Sequence, residues 1–336
     1  MSKRVIDTRL GVPLLDIASY ARRGSGHRDR LSSAEVEQIA RTVRRMPEVM
    51  VKVLSRGGPD LGAVRRHLDY LRLRDDGELE LETDDGQRLS GEGVSQDLLK
   101  DWDLDLEEHR RQSDLDARRS RSPKLVHKVL FSMPARTPPD KVLTAVKNFC
   151  REEFGLKHRY AMALHTDEPH PHVHVVIKAM SEQGERLNIR KAMLRRWRSD
   201  FARHLRAVDV PANATQRYIR GETAPRKSDG VYRASLRGQS THMRARTEAV
   251  ARELANGGVR VEFGKAKLLR TRNEVRQAWE VVDAILIRQG EADVARQVRQ
   301  FFEQMPSPMT DKESIAGELL AQARKYAVRE LSHTRR

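Results

Sequence analysis

The stretch RYAMALHTDEPHPHVHVVIKAM, residues 159 to 180, leaves the chain little choice of local structure. Two apolar runs of strand length, 159–165 and 172–180, flank a short connection with two prolines, which support neither a helix nor a sheet ladder there. So short a gap makes the runs antiparallel neighbours. Side chains alternate along a strand, so His172 and His174 share one face while Val173, Val175 and Ile177 take the other. Four of the twelve histidines, His165, His170, His172 and His174, fall within ten positions.

Two imidazoles about 7 Å apart on one strand face can close on a single ion. His165, ending the preceding run, supplies a third ligand if the strands lie side by side. Three histidines with an open remaining position make a catalytic metal site, not a structural one. Asp167 can orient a ligand through its second ring nitrogen, and His170 reads as a base or substrate contact. Imidazole ligands permit Zn2+, and suit Mn, Fe, Ni and Cu better than Mg.

The rest of the chain reads as α+β followed by helices. Ser32 or Ser33 caps a helix over 34–45 with Glu35 in its first turn. A strand over 48–55, a helix over 59–72, an edge strand in GELELET before the DDG turn and a helix over 95–118 follow. Beyond RRSRSPK come a strand over 125–133, a helix over 139–153, the two strands already described and a helix over 190–208. In that last helix Leu194, Trp197, Phe201, Leu205 and Val208 form one stripe, with Arg195, Arg196, Arg203 and Arg206 on the other face. The divisions are a flexible basic arm (1–32), an α+β domain (33–219), a basic linker (220–242) and a mainly helical region with a short strand at 258–263 (243–336).

A metal that polarises a phosphate needs a nucleophile, either water or a side chain. In LGAVRRHLDYLRLR, Leu61, Val64, Leu68 and Leu71 fall in one helical sector, and at about 100° per residue Tyr70 points away from it. Arg66 and Arg74 flank Tyr70 at i−4 and i+4 if the helix persists, and can hold a phosphate.

Charge names the partner. The net charge is +16, unevenly placed: residues 75–108 carry 14 acidic and 2 basic side chains, residues 185–272 carry 22 basic and 8 acidic. That segregation suits a nucleic acid on one surface. The lone Cys150 excludes a disulfide within the chain and a cysteine zinc site. No phosphate loop for an ATP-driven motor and no HExxH helix is encoded. Neither a signal peptide nor a membrane insertion segment is legible, which points to the cytoplasm.

Together the two segments resemble the conjugative relaxases, or mobilization nucleases, and within them the branch of the T-DNA border endonucleases. HTDEPHPHVHVV is similar to that family's third motif, the helix ending in YLRLRDDGELE to its first, and the resemblance covers about residues 47–208. It implies the His-hydrophobic-His (HUH) relaxase fold, a central antiparallel sheet of about five strands with packed helices, and makes 33–219 the nuclease domain. It implies nicking at an origin of transfer through a 5′-phosphotyrosyl intermediate, with Tyr70 as nucleophile. His165, His172 and His174 become ligands of Mg2+ or Mn2+, and Asp167 and His170 groups that orient or deprotonate. Ser132, in FSMP, is a possible contact. The implied partners are single-stranded origin DNA, accessory DNA-binding proteins and a type IV secretion coupling protein. A metal-dependent hydrolase using water, and a replication-initiation or DNA-binding protein with structural histidines, are the competing readings.

Overall fold

The computed structural model describes residues 30–54, 60–74, 77–78, 80–113, 124–222, 231, 234–235 and 237–333. Residues 1–29 of the expected arm and residues 223–230, 232–233 and 236 of the expected linker lie outside them. Contacts divide the chain into two compact units, residues 45–214 and residues 1–44 with 215–336.

The unit of residues 45–214 is built on a six-stranded sheet in the order β1-β6-β8-β7-β4-β5. Its strands are β1 (Met50–Val53), β4 (Leu81–Thr83), β5 (Arg88–Leu89), β6 (Val126–Ser132), β7 (Tyr160–His165) and β8 (His172–Lys178). Every pairing is antiparallel. The sixth strand is the short β5, which returns from β4 through the DDG turn, where Gly86 takes φ 84°, a region costly for a residue with a Cβ. GELELET is not one strand: β2 (Leu73–Arg74) pairs with β3 (Gly77–Glu78) as a separate hairpin, and only β4 enters the main sheet.

Both faces of the sheet are covered, which is why the central strand β8 is buried at every position. On one face lie α2 (Leu61–Arg72), α3 (Val94–Asp101) and the start of α4 (Leu104–Ser113); Val64, Leu68, Leu71, Leu98 and Trp102 pack on Val126, Ala161, Ala163 and Val176. Ala161 and Ala163 leave room for helix α2 to approach. The helix expected over 95–118 is broken, because Trp102 is drawn into this core and Asp103 turns the chain at φ 50°. On the other face α5 (Pro139–Phe154) and α6 (Lys191–Ala207) pack Phe149, Phe154, Trp197, Phe201 and Leu205 against Phe131, Val173, Val175 and Ile177.

The second unit contains α1 (Ser33–Val43), α7 (Thr241–Ala255), α8 (Lys265–Arg288), α9 (Ala292–Glu303) and α10 (Asp311–His333). Ser32 and Glu35 form a capping box at the start of α1. Ile39 and Ala40 of α1 join Trp279, Val282, Ile285, Val298 and Phe301 in one core, and Gln289 clamps the Leu31 backbone through both amide atoms, at 2.8 and 2.9 Å. Helix 33–43 therefore packs with the C-terminal helices, whereas the sequence grouped it with residues up to 219. Its apolar stripe says that it needs a partner but not which one. Residues 258–263 form no strand; they connect α7 to α8.

Candidate metal and nucleophile site

The register of three strands assembles the histidines. His165 of β7 stands directly opposite His172 of β8, and His174 follows two residues along the same face, opposite Ala163 on one side and Leu130 on the other. All three are buried. One ring nitrogen of each lies within 4.8 Å of the others, and their ring centroids are 4.6 to 5.3 Å apart. The spacing of HVH and the hairpin connection already placed these three together, and the pairing register completes the arrangement.

Backbone carbonyls select the tautomers. His172 Nδ1 donates to the His170 carbonyl at 3.0 Å, leaving the ring lone pair on Nε2, and His165 Nε2 donates to the Leu71 carbonyl at 3.1 Å, leaving its lone pair on Nδ1. A metal-ligating histidine commonly donates its other N–H to such an acceptor, so the donor set fits a divalent ion. These acceptors are main-chain groups of Leu71 and His170. Asp167 and His170 are exposed in the β7–β8 connection beside the cluster. Ser132 is buried opposite His172 in the register, its hydroxyl directed to the Met133 carbonyl at 3.4 Å.

Helix α2 brings Tyr70 to the cluster. Val64, Leu68 and Leu71 are fully buried and Tyr70 is 54% exposed, as the helical sectors require. Helix α2 meets the histidines twice, through the Leu71 carbonyl on His165 and through His67. His67 stacks on Tyr70 with ring planes 16° apart and centroids at 6.2 Å, and meets His174 edge-on, also at 6.2 Å. Burial, with the charge of Lys128 nearby, pushes the His67 imidazole down to about 3, so it is neutral at ordinary pH. Sequence reasoning missed His67, although its place three residues before Tyr70 puts the two on one side of a helix.

Lys128, also missed, projects from β6 under α2. It is buried and donates to the Ala63 carbonyl at 3.4 Å. Desolvation, with Arg66 close by, pulls its ammonium down to about 8.

Of the predicted arginines, Arg66 stands near Lys128, and those of α6 are not gathered at this site. Helical side chains lean toward the N-terminus, and the Arg66 guanidinium lies over Gly62, with Nη1 3.3 Å from where a Cβ would stand. The helix ends at Arg72, so Arg74 falls in β2 and not at i+4 of a helix, and its side chain lies outside the described residues. Helix α6 covers the sheet face opposite the histidines. There Arg196 pairs with Glu153, Arg203 pairs with Glu152, and Arg206 donates to the Ala212 carbonyl at 3.0 Å, while Arg195 is exposed.

Residues 80–206 match the family model described as relaxase, MobA/VirD2-like, nuclease domain. That span contains all three histidines, β4 to β8 and α3 to α6; α2 and Tyr70 precede it. No curated protein matches the chain.

Proposed function

We propose that this protein is a DNA-nicking enzyme, a reading supported by the match of residues 80–206 to the MobA/VirD2-like relaxase nuclease domain, and that it cuts by transesterification with Tyr70 as nucleophile. The observation that supports this most is the attachment of the Tyr70 helix to the histidine cluster, through the Leu71 carbonyl and His165 Nε2 at 3.1 Å.

In the proposed reaction the Tyr70 phenolic oxygen, having given up its proton, attacks the phosphorus of one phosphodiester in single-stranded DNA. The bond from phosphorus to the 3′ oxygen breaks as the 5′-phosphotyrosyl bond forms, and the leaving 3′ oxygen takes a proton to become a hydroxyl. One phosphodiester replaces another, so the end stays activated for rejoining. His165, His172 and His174 hold the divalent ion, Mg2+ or Mn2+ by family resemblance, with Zn2+ compatible with imidazole donors. Such an ion, when bound, stabilises negative charge on the non-bridging oxygens of the scissile phosphate. Asp167 and His170, exposed beside the cluster, are the proposed acceptors of the phenolic proton.

The DNA is proposed to run on the α2 side of the sheet, with Arg66 and Arg74 as its phosphate contacts and a strong salt dependence. On α6, Arg196 and Arg203 pair with Glu153 and Glu152 of α5. Conjugative transfer of an origin-bearing element, with accessory DNA-binding proteins and a secretion coupling protein as partners, is the proposed setting. Among the described residues no helix is long and apolar enough to cross a membrane.

The experiment uses an oligonucleotide carrying the cognate site. The wild-type protein with metal leaves a protein-linked 5′ end and a free 3′-OH, and Tyr70→Phe leaves neither. A free 5′-phosphate from the wild type would instead establish hydrolysis by water.

A further inference from the structure

Tyr70 is 54% exposed on the side of α2 away from the apolar core, so that core does not fix the placement of its ring. A nucleophile gains from being held near one geometry. The Tyr70 ring stacks on that of His67, one turn earlier.

His67 is itself firmly placed. Its Nε2 is buried and makes no hydrogen bond among the described residues, and its ring packs edge-to-face with that of His174. Burying an unbonded imidazole nitrogen is unfavourable, and an aliphatic side chain would fill the same space without that cost. What an aliphatic side chain lacks is a flat face. The 16° angle and 6.2 Å centroid distance to Tyr70 lie in the range of offset aromatic stacking, and the opposite contact reaches a residue of the histidine cluster.

Building on the transesterification reading above, we propose that His67 is the positioning residue for Tyr70. Its ring, seated against His174, fixes the Tyr70 ring relative to the histidine cluster. The interaction that does this is the stacked face, and Nε2 has no part in it.

The test measures single-turnover formation of the protein–DNA adduct at saturating DNA and metal, alongside DNA and metal affinities. His67→Ala is expected to slow adduct formation about ten- to a hundredfold with both affinities within about threefold of wild type. His67→Leu restores volume without a flat face and should stay slow. His67→Phe should recover most of the lost rate and melt at a higher temperature than the wild type, because the unbonded nitrogen is gone. Wild-type rates for Ala or Leu, or a Phe variant as slow as Ala, overturn the proposal. If Tyr70→Phe still forms adduct, the underlying reading fails instead; if it abolishes adduct while His67→Ala does not slow it, only the positioning role fails.

Discussion

The Leu71 carbonyl and His165 Nε2, 3.1 Å apart, join the last turn of the Tyr70 helix to the strand that opens the histidine cluster. This bond performs two tasks. It selects the His165 tautomer, and it sets the depth at which α2 rests on the sheet.

Separating those tasks is possible with two variants. His165→Gln keeps an N–H donor for the Leu71 carbonyl and lacks the imidazole lone pair, whereas His165→Ala loses both. Both are expected to lose metal affinity, and His165→Ala should be less stable than His165→Gln by about 1 kcal/mol. Calorimetric metal titration and denaturant melts of the two proteins check this; equal stabilities would mean that the bond does not hold α2.

Removing a ligand on the central strand should leave DNA binding largely intact. His172→Ala is expected to weaken metal binding by at least about a hundredfold and to abolish nicking. DNA affinity measured at fixed salt should change less than about threefold. A parallel loss of DNA affinity would indicate that the histidine mainly supports the fold.

Arginines on α6 should behave as structural residues. Arg196 pairs with Glu153, which also accepts from Trp197 Nε1 at 2.8 Å, on the face away from the histidines. Arg196→Ala should cost about 0.5–1 kcal/mol in stability and leave the nicking rate within about twofold. A reduced salt slope of DNA binding in this variant would return the residue to the DNA interface.

Lys128 gives the site a pH dependence of defined sign. Its folded value, about 8, lies below the ordinary lysine value, so between roughly pH 8 and 10.5 the unfolded chain binds more protons than the folded one, and stability from this group rises with pH there. As pH falls through that window the contribution is lost, by at most about 1.4 kcal/mol per unit. Comparing wild type with Lys128→Met by denaturant melts across the window isolates the effect; parallel pH profiles would refute it.

The division of the chain predicts where truncation is tolerated. Residues 45–214 own a complete core, so a 45–214 fragment should fold and bind metal. A fragment of residues 1–220 retains α1 without the helices that cover Ile39 and Ala40 and should expose apolar surface. Dye binding and melting curves of the two fragments distinguish them.

Local periodicity determined a large part of this protein. The alternation in HVHVV and the brief connection after His165 were enough to bring His165, His172 and His174 to one face, and the helical angle of Tyr70 was enough to expose it. A helix cap at Ser32 or Ser33 and the apolar stripe of α6 were equally legible, since each is a property of a few consecutive residues. Tertiary structure decided what meets what. Which sheet face each helix covers put the α6 arginines away from the histidines and gave α1 to the C-terminal helices. The acceptors that orient His165 and His172 are main-chain carbonyls, which carry no residue signature. Lys128 and His67 reach the site only because β6 runs beneath α2, and a repeat of 2 or 3.6 residues holds no information about such pairings between distant segments.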